Sequence, residues 1–143
     1  MLKHVLVAVD GSEGSHAAVR FVMGLVANAQ TVVTALTVIE PPAVVPIFPL
    51  EGFVTTTPHP SAEQVSHIKA FLAELGKDLP PGRMHVRAEV GHPVDTVLAV
   101  AKELNVDLIV VGARGLNPAQ RFLVGSMSDR IVHHADRPVL VVR

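Results

Sequence analysis

The chain contains no cysteine, no tryptophan and no tyrosine, and only five phenylalanines. Without cysteine it can form no disulfide, thiolate metal site or cysteine nucleophile. The scarcity of aromatic rings argues against a base-stacking surface for single-stranded nucleic acid. Twelve basic and 13 acidic residues nearly cancel, so the excess of positive charge that is typical of nucleic-acid binding is also missing. We therefore expect no nucleic-acid partner.

Several catalytic and targeting patterns are absent as well. The sequence has no GxxxxGK[ST] phosphate loop, no GxGxxG dinucleotide fingerprint and no GxSxG nucleophile elbow. Its eight histidines form no HExxH or comparable pattern, so we expect no metal ion held by protein side chains. The apolar run before Asp10 is too short for a signal peptide or a membrane span. We expect a cytoplasmic protein with no membrane partner.

What the sequence does contain is a large share of apolar residues. Hydrophobic residues make up 49% of the 143 positions and charged residues 17%. This length is typical of one domain, and we expect a single domain over residues 1–143. The apolar composition favours a sheet that is buried on both faces.

Short runs rich in Val and Ile alternate with helical patterns along the chain. The predicted strands are Val5–Val9, Thr31–Ile39, Met84–Val90, Leu108–Val111 and Pro138–Val142, with the more polar Met84–Val90 at an edge. The predicted helices are Glu13–Asn28, Ala62–Leu79, Val94–Leu104 and Ser126–His134. This alternation predicts an α/β fold, an open parallel sheet with helices on both faces and no domain break.

One segment, Pro41–Pro60, does not follow this alternation. It carries six prolines in twenty residues and predicts a long connection without secondary structure. Such a connection is either a lid over a ligand or a segment used in assembly.

A glycine pattern follows the fourth predicted strand. Gly112 and Gly115 are followed nine residues later by Gly125 and Ser126, which gives the pattern G-x2-G-x9-G-S. Ligands of open α/β sheets bind beyond the carboxyl ends of the strands, and a glycine without a Cβ lets the backbone approach a ligand. The helix that begins at Ser126 would offer free N–H groups to an anion, together with the hydroxyl of Ser128. Taken alone, however, a glycine after a strand and a serine at a helix N-cap are common in proteins and indicate no ligand.

Together with the segments VLVAVDGSE, LTVIEPP and GSMSDRIVHHADRPVLVV, this pattern resembles the ATP-binding subgroup of the universal stress protein family. The resemblance covers nearly all of the chain except the proline-rich segment. It implies a five-stranded sheet in the order 3-2-1-4-5. It also implies an adenine nucleotide ligand, ATP or else ADP or AMP, with Mg²⁺ held through the phosphates.

The resemblance also implies which positions contact the nucleotide. Asp10 would reach the ribose, although with Gly11 and Ser12 it could equally form the turn and cap of the first helix. The other positions on the adenine and ribose side are Ala8, Val9, Val38, Val111 and Gly112. Those on the phosphate side are Gly115, Gly125, Ser126, Met127 and Ser128. Two arginines within the glycine loop, Arg114 and Arg121, could screen phosphate charge or be solvated instead. Ala113 departs from the family, which usually has Ser or Thr there, and this removes one hydroxyl.

These implications lead to a functional expectation. We expect an ATP-binding, stress-responsive regulator or interaction module that forms a homodimer through the C-terminal strand Pro138–Val142. Hydrolysis should be slow or absent, because no lysine lies in the glycine loop and no obvious base positions a nucleophile. The alternatives are a slow ATP hydrolase and a nucleotide-free dimeric scaffold.

Overall fold

Five parallel strands form the main sheet of the structure, a computed structural model that describes residues 1–27, 30–41, 44–46, 53–55, 62–77, 79–113 and 126–143. In chain order the elements are β1 (His4–Ala8), α1 (Glu13–Val26), β2 (Val32–Ile39), β3 (Val44–Pro46), β4 (Phe53–Thr55), α2 (Ala62–Gly76), β5 (Met84–Val90), α3 (Pro93–Glu103), β6 (Leu108–Gly112), α4 (Ser126–His134) and β7 (Val139–Val142). The main sheet has the order β5-β2-β1-β6-β7. Counted within this sheet the order is 3-2-1-4-5, which confirms the prediction.

The sheet is buried on both faces by two apolar clusters. Alternate residues of β1 point to opposite faces, so Val7 belongs to the cluster beneath α1 and α2 while Leu6 belongs to the cluster beneath α3 and α4. Leu72 of α2 and Val97 of α3 are both fully buried against these two faces. The Val-rich runs form strands here because a β-branched side chain packs well on a pleated surface that is covered on each side.

Element boundaries agree with the predicted ones to within three residues, and the ranges Met84–Val90 and Ser126–His134 agree at both ends. The helix α2 ends at Gly76 rather than Leu79, and the chain then turns with the Leu79 amide donating to the Gly76 carbonyl at 3.0 Å. Gly76 is a poor helix former at this last position, and Pro80 further along could not continue the helix. The helix α3 begins one residue early, at Pro93, because proline needs no amide partner in the first turn.

The proline-rich segment contains secondary structure that the sequence interpretation did not anticipate. The strands β3 and β4 pair antiparallel, with Val44 opposite Thr55 and Pro46 opposite Phe53. The prediction of a connection without secondary structure was therefore wrong for these residues. A ribbon of only two strands tolerates proline, since each strand has an unpaired side that needs no amide donor. The remainder of the segment lies outside the described residues.

The two edges of the main sheet are formed by β5 and β7. Among the described residues, the strand β5 pairs with β2 alone, which confirms the edge position predicted from its polar alternation. The strand β7 pairs with β6 and forms the other edge. Across the ranges that the structure describes, no helix combines the length and the apolar character that crossing a membrane requires.

Candidate functional site

A cleft of about 770 Å³ opens at the carboxyl ends of the strands of the main sheet. Its volume lies within the range of about 300–1,000 Å³ that is usual for small-molecule sites. The order of the sheet reverses between β1 and β6, and ligands of open α/β sheets bind at such a point. Eight of the positions implied by the sequence resemblance line this cleft, namely Ala8, Val9, Asp10, Val38, Val111, Gly112, Met127 and Ser128.

The side chains of the other predicted positions lie outside the described part of the chain. Arg114, Gly115, Arg121 and Gly125 lie outside the described residues. Ser126 begins α4 as predicted, but its side chain also lies outside the described part of the chain. Contacts between these positions and a phosphate therefore stay a prediction.

The turn between β1 and α1 holds Asp10 at the cleft. Its Oδ1 accepts a hydrogen bond from the Ser12 amide at 2.9 Å, while the Ser12 hydroxyl caps α1 by accepting from the Ser15 amide at 3.2 Å. Gly11 has a φ of +83°, a left-handed conformation that glycine adopts without strain. The structure thus gives Asp10 the turn-forming contact considered above. The same side chain lines the cleft, so a contact with a sugar hydroxyl remains compatible with it.

The end of β6 is fixed by contacts with two helices. A Cβ on Gly112 would come closer than 3.0 Å to the backbone of Gly14 and Ser15 in α1. The Ser128 hydroxyl of α4 donates to the Gly112 carbonyl at 3.0 Å and is buried. The missing Cβ of Gly112 therefore serves the packing of α1 on the sheet, whereas the sequence suggested that it serves the ligand. The Ser128 hydroxyl proton is likewise engaged within the protein.

One wall of the cleft comes from α1 and α2 and was not predicted. The rings of His16 and Phe71 stack with centroids 4.0 Å apart and planes inclined by 28°. The guanidinium carbon of Arg20 lies 5.8 Å from the centre of the Phe71 ring. Ile68 and His67 line the cleft beside them. These side chains come from the N-terminal and middle parts of α1 and the middle of α2, and only the apolar stripe of α2 in the sequence pointed toward them.

Charged side chains are few in this cleft. Asp10 and Glu40 supply two carboxylates, and Arg130 of α4 supplies one guanidinium. Within the described ranges, no three His, Asp or Glu side chains lie together as metal ligands. A ligand with both apolar and anionic parts would meet the apolar wall on the α2 side and the guanidinium on the α4 side.

Comparison with known proteins assigns the chain to a family. The family model described as the universal stress protein family matches residues 1–143. The chain belongs to the universal stress protein family. A putative universal stress protein of Staphylococcus aureus (strain USA300) is 33% identical over 144 residues, which cover 99% of this chain and 84% of that relative.

Solved structures of universal stress proteins share the fold. The universal stress protein UspA from Lactobacillus plantarum superposes with a TM-score of 0.76 at 26% identity, covering 99% of this chain and 98% of the other. A universal stress protein solved in complex with cAMP superposes with a TM-score of 0.71 at 23% identity, covering 99% and 97% of the two chains.

Proposed function

We propose that this universal stress protein binds an adenine nucleotide, ATP or else ADP or AMP, in the cleft at the carboxyl ends of its strands. The observation that carries the proposal is the convergence of eight positions, implied separately by the sequence resemblance, on one cleft at the reversal point of the sheet. A family member of the same fold was solved with cAMP, which is itself an adenine nucleotide.

The chemistry of the cleft suggests how the nucleotide lies. Neighbouring strands are about 4.8 Å apart, so β2 and β6, on either side of β1, are separated by about 10 Å. This span suits a nucleoside phosphate with its base over β2 and its phosphate over the end of β6. Val38 of β2 would offer its backbone groups to the edge of the base, and Asp10, in the turn after the central strand, would accept from ribose hydroxyls.

The phosphate would lie where positive potential is available. The helix α4 begins beside Gly112, and its first turn offers amide groups and the positive end of the helix dipole. Arg130 lines the same side of the cleft. In the opposite orientation the phosphate would lie over the end of β2, where the Glu40 carboxylate would repel it.

The protein would act as a regulator or interaction module whose contacts change with the bound nucleotide. Hydrolysis would be slow or absent, because the sequence has no phosphate-loop lysine and no evident base for the attacking water. Mg²⁺ would accompany the nucleotide through its phosphates. We further propose a cytoplasmic homodimer that pairs through β7.

The first experiment is to identify any nucleotide that copurifies, by mass spectrometry, and to titrate ATP and AMP by calorimetry with and without Mg²⁺. We expect one nucleotide per chain and little turnover. At a ligand concentration 100 times the dissociation constant, binding should stabilise the protein by about 2.7 kcal/mol. Absence of binding at millimolar concentration would contradict the proposal and favour the nucleotide-free scaffold. Repeated turnover would favour the hydrolase.

A further inference from the structure

The buried hydroxyl of Thr37 has no hydrogen-bond partner. Among the described residues, its Oγ1 is the one buried side-chain oxygen or nitrogen in this condition. Thr37 is 4% exposed and lines the cleft. Buried polar atoms are almost always paired, because an unpaired one loses its hydrogen bonds to water without replacement. The orphan hydroxyl therefore needs an explanation.

Other buried hydroxyl groups in the described chain are all satisfied. Thr31 donates to the Leu2 carbonyl at 2.7 Å, and Thr34 pairs with His4 Nε2 at 2.8 Å. The buried serines, Ser15 and Ser128, both donate to backbone carbonyls. The exception thus occurs at the cleft, where a ligand could supply the missing partner.

The surroundings of Thr37 indicate which part of a ligand could do so. Thr37 is in phase with Val33 and Ala35 on β2, so it faces α1 and α2. The cleft residues on this face include the apolar Val9, Ile68 and Phe71 and the imidazole rings of His16 and His67. An apolar and aromatic surrounding favours a heterocyclic base over a phosphate. The start of α4, by contrast, lies beyond β1, about 10 Å away across the sheet.

We propose that the Thr37 hydroxyl hydrogen-bonds to the polar edge of the nucleobase and helps decide which base the cleft accepts. This inference rests on the proposed nucleotide binding. Rotation of about 120° about χ1 moves the threonine hydroxyl to the position of its methyl group or to that of the Cβ hydrogen, so the hydroxyl can turn toward a ligand in the cleft without movement of the backbone. A hydroxyl can both donate and accept, and it can therefore pair with either kind of atom on a base edge.

The test compares Thr37→Val, which keeps the shape and removes the hydroxyl, with Thr37→Ser, which keeps the hydroxyl. Calorimetry with AMP should show about tenfold weaker binding for Thr37→Val and nearly unchanged binding for Thr37→Ser. Without ligand, Thr37→Val should melt about 3 °C higher than the wild type, because the unpaired buried hydroxyl is gone. If the Thr37 hydroxyl did have a hydrogen-bond partner within the protein, Thr37→Val would lower the melting temperature instead.

A matched control lies on the same strand. Thr34→Val removes a buried hydroxyl that is already paired with His4, at a position outside the cleft. It should lower the melting temperature and leave AMP affinity unchanged. Ribose 5-phosphate, which lacks the base, should bind wild type and Thr37→Val equally.

The outcomes separate the two proposals. If the wild type binds AMP and Thr37→Val binds it equally well, the inference about Thr37 is wrong while nucleotide binding stands. If Thr37→Val weakens ribose 5-phosphate as much as AMP, the hydroxyl does not contact the base, and the inference is again wrong. If the wild type binds neither AMP nor ATP, the proposed function fails and the inference fails with it.

Discussion

Gly112, the last residue of β6, lies against Gly14 in the first turn of α1 so closely that neither position has room for a side chain. A Cβ on Gly112 would come within 3.0 Å of the Gly14 carbonyl group, and a Cβ on Gly14 would lie 2.7 Å from the Ala113 carbonyl oxygen. Both obstacles are backbone atoms, which cannot rotate away. The contact between these two glycines sets the distance between α1 and the end of β6 at the cleft.

Gly112→Ala should therefore destabilise the protein even without a ligand. We expect a loss of about 1–3 kcal/mol in the free energy of unfolding, the usual range for overpacking a closely packed site. Urea unfolding followed by circular dichroism would measure it. Unchanged stability would mean that α1 can move off the sheet at no cost.

Gly24→Ala is the control, because Gly24 lies in α1, the helix that packs against Gly112. Nothing lies within 4 Å of a Cβ placed on Gly24, and the residue is exposed. Alanine is favoured over glycine inside a helix by about 0.5–1 kcal/mol, so this variant should be slightly more stable. Opposite signs for the two glycines would show that packing, rather than glycine as such, determines the result.

Much of the site could be predicted because parallel strands end at a common edge. Val9, Asp10, Val111 and Gly112 each stand at or just beyond the end of an apolar run, so alternation of strands and helices already places them together. The same periodicity predicted both core faces. These features depend on local sequence pattern alone.

Other features depend on packing between distant elements. The stack of His16 on Phe71 requires that α1 and α2 lie side by side, and no local pattern gives their relative rotation. The same holds for the contact of Ser128 with Gly112, which are 16 residues apart. Thr37 looks like any strand threonine in the sequence, and only the structure shows that its hydroxyl lacks a partner.

A substitution can separate the negative charge of Asp10 from its hydrogen bond within the turn. Asp10→Asn keeps an oxygen that can accept from the Ser12 amide, and it removes the negative charge. Hydrogen bonds to charged groups are stronger than neutral ones by about 1 kcal/mol, so AMP affinity should fall about fivefold, while the weaker bond from the exposed Ser12 amide should lower the melting temperature slightly. Calorimetry and thermal unfolding would test both parts.

Glu40→Gln is the matched control for this prediction. It also removes one negative charge from the cleft lining, but it lies beyond the end of β2, whereas Asp10 lies beyond the end of the central strand β1. We expect unchanged or slightly tighter AMP binding, because a repulsive charge is lost. An equal loss of affinity in both variants would mean that the total negative charge of the cleft affects AMP binding, and it would contradict a specific contact between Asp10 and the ribose.

Asp107 should make the stability of the fold depend on pH. Its Oδ2 accepts from the amides of His4 at 2.9 Å and Lys3 at 2.6 Å, and these bonds hold the pKa of the carboxyl below its ordinary value of 3.8. The ionised form is thus favoured in the folded state. Its stabilising contribution is complete above the unfolded pKa and is lost as the pH falls through the lowered folded pKa.

Asp107→Asn should consequently lower the stability at neutral pH, with a deficit that shrinks as the pH falls below about 4. Urea unfolding of both proteins between pH 2.5 and pH 7 would show two curves that converge on the acid side. A deficit of the same size at every pH would mean that the carboxylate charge is not its source.

The open edge of β7 offers a direct test of the proposed homodimer. The carbonyls of Pro138 and Val142 accept from amides of the β6 side, of Ile109 and of Ala113. Backbone groups alternate in direction along a strand, so the amide of Val141 points away from β6 toward the edge that makes no strand pair within the described residues. Such an edge is a template for pairing with a second chain.

Val141→Pro would remove that outward amide and leave the bonds to β6 in place, whereas Val141→Thr would keep the amide on a similarly shaped side chain. Light scattering after size exclusion should give twice the chain mass of 15.2 kDa for the wild type and for Val141→Thr, and the single mass for Val141→Pro. A monomeric wild type would contradict the homodimer itself. A Val141→Pro dimer would show that the two chains associate through a surface other than this edge.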